Sequence, residues 1–433
     1  MASGCYLACL VFVVVAPMSS LASVHTRHIV RLSVAELRPG MYIHDLGRSW
    51  LQHPFWRRRF TVGEREIERL REEGIDEVWV DTRRGTAPEA PPTAPALVPS
   101  PRITARELID RRLRTAREQM SLEEERWRMR HFRIAAATRL KPVFAAAREG
   151  QPPELATLQP IIDRLIESVL RHPDALIPLL RLKPAGDYAV WHGLACAALT
   201  VAIAHAAGAE ADELWPAACG ALLMDIGLGA QAALDAPRPL EPGERRQLQA
   251  HVPASVALLA DMIDVHPTML EIAAQHHERL DGSGYPLGLR GTAINPWARV
   301  AALADCYDAL VSARPWRAAY APTEALALIG QGAGRLFCPR LSQALVDAVG
   351  VFPVGSLVRL AQPDDQGDVL AVVLAQRRGH LAQPVVRLIY DVSERRYLRP
   401  IVIDLARRRG APVIVGVESW RDWGLDEARW QPQ

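Results

Sequence analysis

The stretch "HHERLDGSGYP" at residues 276–286 sets two adjacent imidazoles and acidic residues just before a glycine-rich turn. On an α-helix, neighbouring side chains point about 100° apart, so His276 and His277 cannot easily bind one metal ion together. They can instead bind two ions that lie a few ångströms apart. The stretch therefore predicts a two-metal site if other parts of the chain supply ligands.

The composition is that of a globular protein. Of the 433 residues, 49% are hydrophobic and 23% are charged, which predicts two or three domains with packed cores. The formal net charge of +2 gives no electrostatic reason to expect a nucleic-acid polymer as partner. No C-x-x-C pair occurs, so we expect buried free thiols in a reducing compartment. The six cysteines are Cys5, Cys9, Cys196, Cys219, Cys306 and Cys338.

The chain begins with an apolar run, "CYLACLVFVVVAP" at residues 5–17. The run is shorter than the roughly 20 residues of a membrane span, and no Lys or Arg precedes it. It is therefore a poor export signal, and a wrongly assigned start near Met18 explains it equally well. We expect a cytoplasmic protein, with export or membrane anchoring as the alternative.

Changes in pattern divide the rest of the chain. "GEREIERLREEG" has helical spacing, "IDEVWVD" alternates as a strand does, and "GTAPEAPPTAPALVPSP" is a proline-rich linker. The predicted segments are a leader (1–23), a small α/β domain (24–84), the linker (85–103), a long helical domain (104–350), a small antiparallel β unit (351–408) and a tail without a recognisable pattern (409–433).

The helix that leads into the opening stretch has a recognisable start. Thr268 and Glu271 fit an S/T-x-x-E capping box. Met269, Ile272 and His276 then share one apolar face, so the imidazole of His276 is expected to point inward. The alternative is a buried histidine that is hydrogen-bonded to a backbone carbonyl.

Four further polar residues lie in or beside apolar helical runs. His192 interrupts "YAVWHGLACAALTVAIA", Asp225 lies in "ACGALLMDIGLG", and Asp305 lies in "VAALADCYDAL". His251 follows "EPGERRQLQA". A buried carboxylate is costly unless a cation or hydrogen-bond donors satisfy it. For Asp225, helix capping near Gly227 is the alternative explanation.

These residues together form a candidate ligand set. Mixed nitrogen and oxygen donors suit Fe, Mn or Zn better than Mg or Ca. Two such ions that share a carboxylate can activate water and hold a phosphoryl group. The predicted metal ligands are His192, Asp225, His251, His276, His277 and Asp305.

Residues 104–350 resemble the HD-GYP family, metal-dependent hydrolases of the bacterial second messenger cyclic di-GMP. The resemblance rests on "HHERLDGSGYPLGLRGTAI", "DYAVWHG" and "RVAALADCYDALVSARPWR". The segment Ser49–Phe55 resembles the small domain that often precedes this family, and "VGVFPVGSLVRL" resembles a β extension that often follows it. The resemblance implies a mainly α fold, an HD-type helical bundle.

The resemblance also implies roles for individual residues. It makes the six candidates metal ligands of a binuclear Fe, Mn or Zn centre, with Asp225, His276 and His277 in the catalytic group. Arg314 and Arg317 would bind substrate phosphates, and Gly284 and Tyr285 belong to the turn beside the substrate. A diguanylate cyclase could dock on that turn, and a homodimer is left open.

Two positions depart from the family pattern. The motif expected to read His-Asp-Ile-Gly-Lys reads Met224-Asp225-Ile226-Gly227-Leu228. A histidine ligand has become a thioether, which is a poor ligand for Fe or Mn, and a lysine expected near the substrate has become leucine. Tyr188 stands where some members carry a glutamate for a third metal, so a trinuclear site is not expected.

Three functions therefore stay open. The first is a cyclic di-GMP phosphodiesterase with a weakened site. The second is a non-catalytic receptor or scaffold that binds cyclic di-GMP or a signalling partner. The third is a hydrolase of another nucleotide. Retention of the other ligands favours metal binding, whereas the changes at Met224 and Leu228 favour slow or lost catalysis.

Overall fold

The structure is a computed structural model. It describes residues 29–45, 60–82, 84–86 and 120–431, with short gaps at 73–74, 76, 184–186, 229–237, 239–240, 315–316, 364–366, 378 and 409. The chain divides into two compact units, Met1–Arg102 and Ile103–Gln433. The predictions for the leader, for Ser49–Phe55, for the linker beyond residue 86 and for residues 104–119 of the helical domain lie outside the described residues.

The described residues of the first unit form a small antiparallel sheet, a short 3-10 helix (Val34–Glu36) and one α-helix. Ile67 and Leu70 on the buried face of the helix pack into a core with Val78 and Val80 of the last strand. The strands lie in the order β1-β4-β2-β3. The elements are β1 (Ile29–Ser33), β2 (Tyr42–Asp45), β3 (Phe60–Thr61), α1 (Glu64–Glu72) and β4 (Glu77–Asp81).

The second unit begins with a helical bundle, as predicted. Its helices are α2 (Leu122–Arg148), α3 (Leu155–Arg171), α4 (Pro173–Arg181), α5 (Tyr188–Ala207), α6 (Ala211–Leu223), α7 (Pro242–Gln249), α8 (His251–Ala260), α9 (Pro267–Gln275), α10 (Pro296–Val311), α11 (Pro322–Gln331) and α12 (Pro339–Val349). The central helix is α5, which contacts α3, α4, α6, α10 and α12. Its length and apolar composition would suit a membrane span, but 83% of that apolar window is buried in the bundle.

A glycine next to His192 allows the two central helices to approach closely. A Cβ atom added at Gly193 on α5 would lie 2.4 Å from the carbonyl oxygen of Leu222 on α6. Because this neighbour is backbone, the helices would have to move apart to admit a side chain. Gly193 therefore fixes the distance between the helix that carries His192 and the helix that leads to Asp225.

We expect Gly193→Ala to lower the free energy of unfolding by about 1–3 kcal/mol, because it overpacks a helix contact. Gly330→Ala is the matched control, since nothing lies within 4 Å of the added Cβ in α11. The control should be neutral or stabilising, by up to about 1 kcal/mol. Denaturant unfolding of both variants measures the difference, and equal stabilities would show that the α5–α6 contact tolerates a methyl group.

The second unit ends in a five-stranded antiparallel sheet with the order β8-β7-β6-β5-β9. The sheet is bound to the bundle, since Asp174 on α4 accepts a hydrogen bond of 2.7 Å from the backbone of Gln376. Its elements are β5 (Leu357–Ala361), β6 (Asp368–Ala375), β7 (Val385–Asp391), β8 (Arg396–Asp404), β9 (Val413–Glu418) and a terminal turn of helix, α13 (Glu427–Trp430).

The expectation of a patternless tail at 409–433 is wrong. Strand β9 in this segment pairs with β5, so the β unit extends beyond residue 408. Leu425 and Trp430 also pack on one face of the sheet. The run "VIVGVE" was too short and too glycine-interrupted to indicate a strand by itself, and its partner β5 lies far away in the sequence.

Candidate metal centre

Five elements of the bundle bring the six predicted ligands together. His192 lies on α5, Asp225 directly follows the end of α6, and His251 opens α8. His276 and His277 directly follow α9, and Asp305 lies on α10. All six side chains are buried except that of His277, which is 16% exposed. The bundle therefore encloses a cluster of four imidazoles and two carboxylates.

The predicted start of α9 is wrong by two residues. The N-cap is His266, whose Nδ1 accepts a hydrogen bond of 3.2 Å from the backbone of Thr268. Pro267 at the first helical position fixes this start, because its missing N–H and fixed φ suit that position. Glu271 instead accepts a hydrogen bond from the side chain of Asn295. The inward direction of His276 does not depend on the cap and is confirmed, since the residue is fully buried.

Asp225 lies at the centre of the cluster. Its Oδ1 is 3.0 Å from Nε2 of His251 and 3.4 Å from Nε2 of His276, and its Oδ2 is 3.3 Å from Nε2 of His192. Oδ1 of Asp305 is 3.1 Å from the same Nε2 of His192. One imidazole therefore lies between the two carboxylates, and two others contact the opposite oxygen of Asp225.

The adjacent histidines face different carboxylates. Their ring centroids are 4.0 Å apart, yet Nε2 of His276 points to Asp225 while Nδ1 of His277 lies 3.6 Å from Oδ2 of Asp305. The cluster contains two groups with the spacing of metal ligands, and they share Asp225. The first is Asp225, His251, His276 and His277; the second is His192, Asp225 and Asp305. The adjacent histidines thus fall in the same group, contrary to the expectation that they bind different ions, because both lie in the turn after α9, where the 100° spacing of a regular helix does not separate them.

Hydrogen bonds on the far side of the rings fix how two imidazoles face the cluster. Nδ1 of His251 lies 2.6 Å from the carbonyl oxygen of Leu248, and Nδ1 of His276 lies 3.0 Å from that of Ala273. A carbonyl only accepts, so each Nδ1 carries the proton. In the neutral rings, both Nε2 lone pairs then face Asp225. Metal-binding histidines usually donate their other ring N–H to a carbonyl or carboxylate in this way.

The donor set fits a cation. The two Nε2 atoms of His251 and His276 are only 3.5 Å apart, and both face a carboxylate oxygen. Lone pairs so arranged repel one another unless protons or a positive ion lie between them. Ligand atoms about 2.0–2.1 Å from one ion are separated by about 3.0–3.4 Å, which is close to the spacing in this cluster. Mixed imidazole and carboxylate donors suit first-row transition metals.

Without a metal, the cluster neutralises itself by proton sharing. Burial alone would raise the pKa of Asp225, but hydrogen bonds from His192, His251 and His276 hold that pKa well below its usual value. Burial lowers the pKa of His277, and the nearby His276 lowers it further. Asp225 is thus a carboxylate, and His277 is neutral. Burial would lower the pKa of His251, but its hydrogen bond with Asp225 raises that pKa above the usual value, so metal binding at this ring would displace a proton.

Sequence reasoning missed a second layer behind His192. Nδ1 of His192 lies 2.6 Å from Oδ2 of Asp308, which is 2% exposed. Lys183 is hydrogen-bonded to the same carboxylate and, at 2.8 Å, to the hydroxyl of Ser312. The available signal was the position of Asp308 one turn after Asp305 on the same helix. Lys183 lies on a loop and gave no signal.

Comparisons with known proteins fit this arrangement. A family model described as HD domain matches residues 171–341, and one described as a domain of unknown function (DUF3391) matches residues 29–158. A cyclic di-GMP phosphodiesterase of Pseudomonas aeruginosa is 33% identical over 413 residues, which cover 92% of this chain and 94% of that protein. The chain belongs to the HD-GYP family.

Two shorter similarities involve other members. The cyclic di-GMP phosphodiesterase response regulator RpfG of Xanthomonas campestris is 55% identical over 75 residues, 17% of this chain and 20% of that protein. The 3'3'-cGAMP-specific phosphodiesterase 3 of Vibrio cholerae is 38% identical over 146 residues, 33% of this chain and 31% of that protein. The names of these relatives thus refer to two different cyclic dinucleotides, cyclic di-GMP and 3'3'-cGAMP.

The two departures from the HD-GYP pattern lie next to Asp225. Met224 caps the end of α6 and is fully buried, and Leu228 is 8% exposed. Neither side chain can donate a hydrogen bond or carry charge. The cluster therefore contains four imidazoles, and the family pattern would add a fifth at position 224 and a lysine at position 228.

Arg314 and Arg317 have different surroundings. The guanidinium of Arg314 lies over the ring of Tyr188, 3.8 Å from its centroid, and donates to its hydroxyl. Tyr188 in turn stacks on His192 with 5.1 Å between centroids, so Arg314 lies beside the cluster. Arg317 instead donates to backbone carbonyls of Ala309 and Ala318 near the end of α10. Its role in phosphate binding stays a prediction.

The turn formed by Gly284, Tyr285 and Pro286, here called the GYP turn, packs directly on the cluster. The ring of Tyr285 stacks on His277 with 4.5 Å between centroids. A Cβ atom at Gly284 would lie 2.5 Å from the carbonyl oxygen of His277, so only glycine fits there. The buried carboxylate of Glu278 accepts hydrogen bonds from the backbone of Leu287, at 2.7 Å, and of Leu289, at 2.9 Å. Glu278 therefore holds the turn in place.

Proposed function

We propose that this protein is a metal-dependent phosphodiesterase that hydrolyses cyclic di-GMP with a site weakened beside Asp225. The observation that carries the proposal is the pair of ligand groups that share Asp225. Membership of the HD-GYP family, with a near-full-length relative named as a cyclic di-GMP phosphodiesterase, supports the substrate class.

The residues divide into two metal positions. His251, His276 and His277 with Asp225 would hold one ion, and His192 and Asp305 with the same Asp225 would hold the other. The mixture of imidazole and carboxylate favours Fe or Mn, with Zn as a further fit. Bound ions would supply an activated water molecule and would neutralise charge on the phosphate.

The protein's own side chains would place and hold the substrate. Arg314 has one face on the ring of Tyr188, which leaves other N–H groups of its planar fork free to bind a phosphate oxygen. Tyr285 covers His277 and, with Gly284, forms the side of the site where the loop backbone approaches. The positions of these residues would orient a phosphodiester towards the shared carboxylate.

Arg314→Ala should weaken cyclic di-GMP binding by about 1.5 kcal/mol, roughly tenfold, because it removes a charge-assisted hydrogen bond. Calorimetric titration of the nucleotide into both proteins measures the change. Arg335→Ala is the control, since Arg335 is an exposed partner of Asp281 outside the cluster. Equal affinities of wild type and Arg314→Ala would remove Arg314 from the binding site.

The weakened site predicts that activity can be restored. Met224→His with Leu228→Lys should raise both metal content and turnover, since imidazole is a good ligand for Fe, Mn and Zn and lysine adds a cation near the phosphates. Adding Asp225→Ala to this double variant should cancel the gain. Metal analysis and product formation are measured on the same oxygen-free samples, with cyclic di-GMP and 3'3'-cGAMP in parallel.

Met262→His provides the control, because Met262 is also buried but lies after α8, outside the ligand groups. It should raise neither metal content nor turnover. If the folded double variant gains neither metal nor activity, the second candidate function is the better one. That candidate is a receptor or scaffold, and it is favoured by the loss of polar groups at Met224 and Leu228.

If the protein hydrolyses 3'3'-cGAMP faster than cyclic di-GMP, the proposed phosphodiesterase activity stands, but its preferred substrate is 3'3'-cGAMP.

Docking of a diguanylate cyclase on the GYP turn stays a prediction. The turn does present an apolar contact, since Leu287 is 68% exposed.

A further inference from the structure

One face of α2 carries an exposed row of residues that nothing among the described residues covers. Their spacing alternates between four and three, the repeat by which helices pair along a seam. We name this row the α2 stripe. Its members, all exposed, are Trp127, His131, Ile134, Thr138, Lys141 and Ala145.

The α2 stripe is less polar than its composition suggests. Trp127 is 59% exposed and Ile134 is 57% exposed. The hydroxyl of Thr138 donates to the carbonyl of Ile134 at 2.9 Å, and Nδ1 of His131 lies 2.9 Å from the carbonyl of Trp127. Two polar side chains therefore satisfy themselves within their own helix. His131 lies between the two large apolar side chains Trp127 and Ile134, and Thr138 follows Ile134 one turn later.

We propose that the α2 stripe pairs antiparallel with the α2 stripe of a second copy of this chain. Self-complementary surfaces of this kind form twofold-symmetric dimers. In the register centred between Ile134 and Thr138, these two residues face each other across the interface. Trp127, the largest side chain, then faces Ala145, the smallest.

Charge along α2 favours the antiparallel direction. The first turn contains Glu123 and Glu124, and the last two turns contain Lys141 and Arg148. Antiparallel pairing places Glu124 of one copy opposite Arg148 of the other. Parallel pairing would instead stack tryptophan on tryptophan and set like charges together at both ends. Lys141 forms an ion pair with Asp187 of its own chain at 2.9 Å, so its charge is compensated at the seam.

The oligomeric state of the full chain tests the proposal. Light scattering at micromolar concentration should give twice the chain mass of 47.8 kDa. Ile134→Glu and Trp127→Glu should each raise the dissociation constant at least tenfold while leaving the circular-dichroism spectrum of the folded chain unchanged, because both side chains are exposed. Ile263→Glu is the control, since Ile263 is 85% exposed away from α2, and it should remain dimeric.

Engineered cysteines test the direction of pairing. Positions 127 and 145 lie about 27 Å apart along one helix. Oxidation should therefore crosslink the double variant Trp127→Cys with Ala145→Cys, but neither single variant. Wild type under the same oxidant accounts for the natural cysteines. A monomeric wild type, a dimer that survives Ile134→Glu, or crosslinks in the single variants would each overturn the proposal.

Discussion

Replacing Asp225 with asparagine should remove metal from both positions of the cluster. Asp225 contacts His192, His251 and His276 and is the one residue common to both ligand groups. The asparagine amide has the same shape as the carboxylate but no negative charge. Its NH₂ group cannot bind a metal ion, and it would replace one of the carboxylate oxygens that face the imidazoles. We expect metal affinity to fall by more than about 100-fold, since the loss of an outer-shell partner alone costs about 10–100-fold.

Metal content after dialysis against the ion, measured on folded protein, is the direct readout. Asp261→Asn serves as the control because Asp261 is an exposed carboxylate at the end of α8, outside both ligand groups. The control should bind as much metal as wild type. If Asp225→Asn retains two ions per chain, Asp225 is not the shared ligand, and the two groups are then independent sites.

The sequence indicated three of the ligands because they break apolar helical patterns. His192, Asp225 and Asp305 are isolated polar residues in runs that are otherwise buried, and burial of such groups requires a partner. The helical bundle followed from the same periodicity. That all six side chains meet within one cluster was implied by the resemblance to HD-GYP proteins and is visible only in three dimensions.

The second layer could not be predicted in this way. Asp308 lies one helical turn after Asp305 and resembles an ordinary helix residue, while Lys183 lies 125 residues away in sequence. Strand β9 was missed for the same reason, since its hydrogen-bond partners are on β5. In each case the decisive contact is between distant segments, so local pattern does not identify the partner.

Asp308 is positioned to control the tautomer of His192. Burial alone would raise its pKa, but Lys183 and His192 lower it, so it is an anion that accepts the Nδ1 proton of His192. Nε2 of His192 is then free to bind a metal between Asp225 and Asp305. Asp308 is therefore a positioning residue for the second ligand group, and Lys183 acts through it.

Asp308→Asn should lower metal affinity by about 10–100-fold, because an amide can donate to Nδ1 and so favour the tautomer with a proton on Nε2. It also leaves Lys183, whose side chain is 10% exposed, without its anionic partner. Part of the effect on thermal unfolding would therefore come from an unpaired buried charge. Metal affinity and unfolding temperature must both be measured on the same protein.

A second substitution separates these two effects. Adding Lys183→Met to Asp308→Asn removes the unpaired charge, so the double variant should regain thermal stability but not metal affinity. Lys141→Met is the control for loss of a lysine, since Lys141 is 49% exposed in its pair with Asp187. It should bind metal as wild type does. If the double variant recovers metal affinity together with stability, Asp308 only balances the charge of Lys183, and the tautomer of His192 is set by other contacts.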